Sequence, residues 1–242
     1  MSVVAVALKK SGSGDDGRFG VGLEFGAVGF TKNDVRIPGN TGTKFDMTDL
    51  TGSGPEAFAR LDGYWNINER HGLRALAAPL TITETGTPTE PISFAGADYE
   101  AGIPTEATYK FNSWRLGYRY TFGGGGERWT WRLGFTAKIR DAKIELSQDG
   151  TTSEKTDLGF VPLLYVGADW RFSGRWFLLL DIEALGGGPG RAEDISLKFS
   201  REMSDRWSLA AGYRMVEGGA DVEEVYSFAW LHFAVVSATW RF

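Results

Sequence analysis

The sequence predicts an all-β fold, a transmembrane antiparallel up-and-down β-barrel of ten strands, and three observations predict it. Apolar residues alternate with polar residues or glycine through most of the chain, which is the period of a strand and not of a helix. Aromatic residues recur at the ends of the alternating stretches, where a membrane-spanning strand meets the interface. The connections between stretches are short and long in turn, the pattern of strands that cross and return.

The first segment, 17–31, sets Phe19, Val21, Leu23, Phe25 and Ala27 on one face and Gly20, Gly22, Glu24 and Gly26 on the other. The second, 56–68, alternates Leu61, Gly63, Trp65 and Ile67 with Arg60, Asp62, Tyr64 and Asn66. A third covers 71–84, with a weaker pattern. The fourth, 106–122, carries Trp114, Leu116, Tyr118, Tyr120 and Phe122 against Arg115 and Arg119. The fifth, 127–147, carries Trp129, Trp131, Leu133, Phe135, Ala137 and Ile139 against Arg128, Arg132, Lys138 and Arg140. The sixth and seventh, 154–172 and 174–186, are apolar on both faces over Leu158–Val166 and Trp176–Leu180. The eighth is 190–203, again weaker. The ninth, 206–217, alternates Trp207, Leu209, Ala211, Tyr213 and Met215 with Ser208, Gly212 and Arg214. The tenth, 224–242, ends on Trp240-Arg241-Phe242. Eight strands also fit if the third and eighth are set aside. Twelve fit if 35–47 and 92–105 each form a strand.

Composition narrows the rest. The 242 residues hold 33 glycines beside 16 Phe, 9 Trp and 8 Tyr, a pairing foreign to disordered glycine-rich tails. The absence of cysteine excludes disulfide frameworks, thiolate metal sites and cysteine nucleophiles. Two histidines, His71 and His232, are too few for a histidine-rich metal centre, so no metal and no cofactor are expected. Net charge −5 gives no signal for nucleic acid. Residues 1–16 read as a flexible segment or a trimmed leader remnant, because Lys9 and Lys10 follow the short apolar run instead of preceding it. Residues 17–242 read as one barrel domain.

Lipid on the apolar side explains the polar side. That side mixes arginine with glycine, serine and threonine, and lacks the lysine and glutamate carpet of a solvated sheet. The short turns lie at 69–70, 123–126, 173 and 204–205, and the longer loops at 32–55, 86–105, 147–154, 186–189 and 218–223. With a terminal phenylalanine on an alternating last strand, the region 17–242 resembles a bacterial outer-membrane β-barrel. The resemblance implies a Gram-negative outer-membrane location with the signal peptide removed. It also implies contact with outer-membrane lipid and lipopolysaccharide, and presentation of Phe242 to the membrane's assembly machinery. It implies no particular activity, since many activities share the fold.

The interior is where function is expected. Arg60, Arg74, Arg115, Arg119, Arg132, Lys138, Arg140 and Arg214 fall on the inward face together with Asp181 and Glu183, so a basic lumen sits inside an acidic protein. Buried charges must be paired or hydrated, and the excess of arginine suits carboxylates or phosphates. Val161, Leu163, Tyr165, Phe177 and Leu179 form an expected apolar patch within that lumen. Pro162, lacking an N–H, marks a bulge or a lateral opening toward lipid. These features point to a narrow pore or a binding site for small anionic or amphipathic solutes.

Two other classes compete with that reading: an outer-leaflet enzyme, lipid-modifying or protease-like in the manner of the omptins, and a structural or adhesion barrel. For the enzyme the candidate catalytic residues are His232 with Asp221 or Glu217, although His232 shares its face with Trp230 and Trp240. Ser227 and Ser237 lie on the opposite face from His232, which argues against a local dyad. The glycine runs have no Walker lysine and no following helix, and read as turns.

Overall fold

The computed structural model describes residues 18–123, 128–188 and 190–242. The expected leader remnant at 1–16 lies outside them, as do Gly124 to Gly126 in the second short turn. In chain order the elements are β1 (Phe19–Arg36), β2 (Phe45–Asp46), α1 (Thr48–Thr51), β3 (Glu56–Asn66), β4 (His71–Ala78), β5 (Thr81–Gly86), β6 (Ile92–Phe94) and β7 (Ala97–Tyr99). They continue as β8 (Thr105–Gly123), β9 (Trp129–Gln148), β10 (Thr151–Ser173), β11 (Trp176–Gly187), β12 (Gly190–Glu202), β13 (Trp207–Asp221) and β14 (Tyr226–Arg241).

Ten strands close an antiparallel barrel. Each pairs with its neighbours in sequence, and β14 returns to β1 from Gly20↔Arg241 to Arg36↔Tyr226. Closure joins the first strand to the last, so the sheet has no terminal edge strand, the condition for crossing hydrocarbon. The third strand is β4 and β5 together, both paired to β8 and interrupted at Pro79-Leu80. Proline cannot donate to the ladder. The chain recovers when Leu80 N donates to Asn112 Oδ1 at 3.0 Å and Phe111 N donates to Leu80 O at 2.8 Å. This interruption is why the third segment reads weakly in sequence.

The alternating side chains divide as expected between two media. Outside stand Leu158 (77% exposed), Phe160 (65%), Leu164 (62%) and Phe135 (59%), exposures that a water-facing sheet would not tolerate in such number. At the short-turn end the girdle is a run of stacked rings. Phe19 lies over Trp65 at 5.9 Å, Trp129 over Trp170 at 5.5 Å, and Trp240 over Phe242 at 5.7 Å. Such rings anchor a barrel at the headgroup level.

The loop end differs from expectation, and β1 and β13 run on to Arg36 and Asp221, into the expected loops 32–55 and 218–223. A loop was expected over 147–154; instead the β9–β10 ladder runs on to Gln148↔Thr151 and turns in two residues. Asp149 (φ 47°) and Gly150 (φ 82°) both take positive φ, as a type I′ hairpin turn requires. The twelve-strand alternative fails because 35–47 and 92–105 do not cross the membrane. They yield β2, which pairs with β1 over two positions, and the separate hairpin β6–β7.

These loop pieces fold over the barrel mouth. Met47, Leu50, Ile92, Phe94 and Tyr99 are buried against Val28, Phe30, Tyr109, Ile144 and Leu146 of the strands. Tyr99 Oη donates to Leu146 O at 2.9 Å and lies 2.7 Å from Ser153 Oγ. The two loops are tied together through Thr43 N to Ser93 O and Ala95 N to Ile37 O, each 2.9 Å. An apolar cap therefore closes much of the outer end.

Candidate functional site

Below the cap a belt of charge crosses the barrel. Glu24 on β1 accepts from Lys198 Nζ at 3.0 Å and from Arg214 Nε at 3.0 Å. Asp194 on β12 accepts from Arg60 at 3.1 Å, faces Arg115 at 2.8 Å, and pairs with Arg214. Glu183 on β11 pairs with Arg115 and accepts from Thr136 Oγ1 at 2.9 Å. Glu24, Arg60, Arg115, Glu183, Asp194 and Arg214 are all buried. Alternation alone puts these side chains inward, and their long reach lets strands on opposite walls meet. Glu24, Arg60, Arg115, Asp194 and Arg214 each meet more than one opposite charge, which is what makes ionic burial tolerable.

The belt separates two cavities that share no lining residue. The larger, about 1110 Å³, lies toward the short-turn end. Its cations are mostly committed: Arg74 to Asp62 at 3.2 Å, Arg241 to Glu202 at 3.0 Å, and Arg132 to Asp169. Arg119 lies 4.1 Å over the ring of Tyr165, whose hydroxyl donates to Asp181 at 2.5 Å. Phe177 and Leu179 line this lower cavity.

The smaller cavity, about 550 Å³, lies toward the loop end and is of different character. Lys138 and Arg140 of β9 line it beside Phe111, Ile144, Val161 and Leu185. Ile37, Val222 and Val225 bound its outer rim. Arg140 pairs with Asp157, and Lys110 with Asp141 at 2.8 Å. Lys138 has no such partner. It is 4% exposed, and among the described residues no carboxylate or hydrogen-bond acceptor contacts its ammonium. Its one neighbour of note is the Phe111 ring, 4.7 Å from Nζ. On the ladder it sits opposite Arg115, so the cavity floor rests on the belt.

All ten lumen residues expected from sequence thus point inward, but they fall into three layers. Arg74, Arg119, Arg132 and Asp181 line the lower cavity; Arg60, Arg115, Glu183 and Arg214 form the belt; Lys138 and Arg140 line the upper cavity. The expected apolar patch is divided in the same way. Val161 lines the upper cavity, Leu163 and Tyr165 are buried inside the barrel, and Phe177 and Leu179 belong to the lower cavity. Phe111 and Leu185 were not foreseen as site residues. Both lie on the inward parity of their strands, and that parity was the available signal.

The catalytic candidates are not brought together. His232 stands on the outer face, its Nε2 2.7 Å from Thr31 Oγ1 and its Nδ1 bonded to Tyr213 Oη. Glu217 accepts from Arg191 Nε at 2.6 Å, and Asp221 is exposed at the end of β13. Among the described residues no cluster of His, Asp and Glu is suited to hold a metal ion.

No protein-family description and no curated protein matches the chain. Solved structures do. The outer membrane protease OmpT from Escherichia coli superposes with a TM-score of 0.55 at 10% identity, over 94% of this chain and 97% of that one. The translocator domain of the autotransporter NalP from Neisseria meningitidis gives 0.45 at 13% identity, over 97% and 91%. Ail, the attachment invasion locus protein of Yersinia pestis, gives 0.43 at 11% identity, over 93% and 99%. At these identities the likeness is one of fold. The chain is a β-barrel of the Gram-negative outer-membrane type, with its apolar outer wall against lipid.

Proposed function

We propose that the protein binds a small amphipathic anion in the upper cavity. The observation that carries this reading is Lys138, a buried cation that no carboxylate among the described residues contacts, at the edge of a half-apolar cavity. An unpaired buried charge costs several kcal/mol unless something compensates it. An anionic head group at Nζ supplies that compensation, with Arg140 beside it. The aliphatic and aromatic walls of Phe111, Val161 and Leu185 suit a hydrocarbon portion. The volume lies within the range of small-molecule sites.

The belt and the cap disfavour an open pore, because ions would have to cross a layer of mutually paired charges. Full-length protein in planar bilayers is therefore expected to show no steady conductance. The direct test is binding to protein in phosphatidylcholine nanodiscs, with dodecanoate and uncharged dodecanol as probes. Wild type should prefer the anion. Lys138→Met should weaken dodecanoate by roughly tenfold or more, the worth of one charge-assisted hydrogen bond, and leave dodecanol unchanged. Equal binding of the two probes by wild type, or no binding at all, would overturn the reading.

In the same reading residues 17–242 form a single domain, Phe242 is the residue shown to the assembly machinery, and lipopolysaccharide is a neighbour of the outer loops.

A further inference from the structure

The wall is not zipped evenly beside the upper cavity. The ladder between β10 and β11 begins near the short turn and ends at Leu164↔Ala184. In the same register Val161, Pro162 and Leu163 would face Gly187, Gly186 and Leu185, yet these positions do not pair. Both strands continue there, since β10 remains paired to β9 through Val161↔Lys138 and β11 to β12 through Leu185↔Ala192. The gap therefore belongs to the β10–β11 seam, while a second unpaired stretch, between β5 and the first residues of β3, lies beyond β8 and β9. By contrast β9 and β10 pair without a break from Trp129↔Trp170 to Gln148↔Thr151.

The sequence explains the gap. Pro162 has no N–H to give across the seam, and Gly186 and Gly187 bring neither strand propensity nor side chains to fill the space. The upper cavity reaches this gap, because its lining takes Val161 from the inward face of β10 and Phe160 and Pro162 from the outward face. Phe160 and Leu164, 65% and 62% exposed, place the outer side of the gap in the lipid-facing band.

We propose that the gap between β10 and β11 is a lateral doorway through which the hydrocarbon chain of a single-chain anionic amphiphile passes from the membrane's outer leaflet into the upper cavity. This rests on the binding reading above, with Lys138 holding the head group. Hydrocarbon then moves from lipid to an apolar cavity without crossing water, so the step forgoes the cost of exposing it.

The test staples the seam. The chain has no cysteine, so Pro162→Cys with Gly186→Cys introduces the sole thiol pair at facing positions. The readout is the rate at which full-length protein in nanodiscs captures radiolabelled dodecanoate above empty nanodiscs. Oxidation should slow capture by roughly tenfold or more, and reduction should restore it, as expected when an access step is blocked. Pro162→Val with Gly186→Val, which restores the missing N–H and needs no oxidation, should also slow it. Capture at the wild-type rate by the oxidised pair or by the double valine variant would overturn the doorway and assign access to the aqueous rim at Ile37 and Val225. Failure of the wild type to retain dodecanoate at all would instead remove the binding reading.

Discussion

Arg60 and Asp194 meet at 3.1 Å although they are 134 residues apart in sequence and β1, β13 and β14 stand between their strands in the wall. Their contact runs through the interior and not along the sheet. Asp194 also serves Arg115 and Arg214, so one carboxylate holds three cations from three strands. Asp194→Ala leaves those cations with fewer partners than charges, at a cost of about 3–5 kcal/mol. The urea midpoint of the folded barrel, read from its migration on unheated gels, should fall accordingly. An unchanged midpoint would show that the belt is not cooperative.

Lys44 in the first outer loop gives a pH dependence. Its hydrogen bond to Asp34, 3.1 Å away, raises its pKa above the ordinary lysine value of 10.5. A raised folded pKa means that the contribution is complete below the unfolded value and is lost as pH rises through the folded one. A spin label at Thr41→Cys should therefore be ordered at neutral pH and grow mobile in the alkaline range above about 10.5, the unperturbed lysine value. In a Lys44→Met background the label should be mobile throughout, without the alkaline step.

Tyr99 fastens the second outer loop to the tall β9–β10 hairpin. Tyr99→Phe keeps the ring and removes the bonds to Leu146 O and Ser153 Oγ, a loss of about 1–2 kcal/mol. Limited proteolysis between residues 87 and 104 should accelerate while the barrel itself stays folded. Equal cleavage rates in the two proteins would assign the loop's order to packing alone.

The orientation implied by short turns and long loops is open to a labelling test in intact cells. Glu90→Cys, in the second outer loop, should react with a membrane-impermeant maleimide. Asp205→Cys, in the tight turn at the opposite end, should react only after the cells are opened. The reverse pattern would invert the barrel and place the upper cavity at the periplasmic side.

Much of this architecture could be read from residue types because a membrane strand is constrained on both faces at once. Val21, Leu23 and Phe25 meet lipid while Glu24 turns inward, and a single alternation carries both facts. Strand limits failed where that constraint ends. The ladder beyond Leu146 is polar and is tied to the second outer loop through Gln148, and only the Asp149-Gly150 pair signalled its two-residue turn. The cap was not legible, since Phe94 and Tyr99 belong to a small hairpin with no period long enough to register. Inward charges were legible by parity, but their partners were not. Nothing local in sequence joins Arg60 to Asp194, or shows that no carboxylate among the described residues contacts Lys138. The weak pairing site at Pro162 was visible, because the missing N–H is a property of the residue itself.

The belt also bears on time. Its carboxylates come from β1, β11 and β12, and its cations from β3, β8, β12 and β13, so neighbouring strands alone cannot satisfy it. A half-closed barrel would hold these charges unmatched in hydrocarbon, which makes intermediates scarce in both directions. Distant contacts of this kind are slow to form, and they are slow to give up. The folded barrel should owe its persistence to the height of the barrier to opening more than to the depth of its minimum.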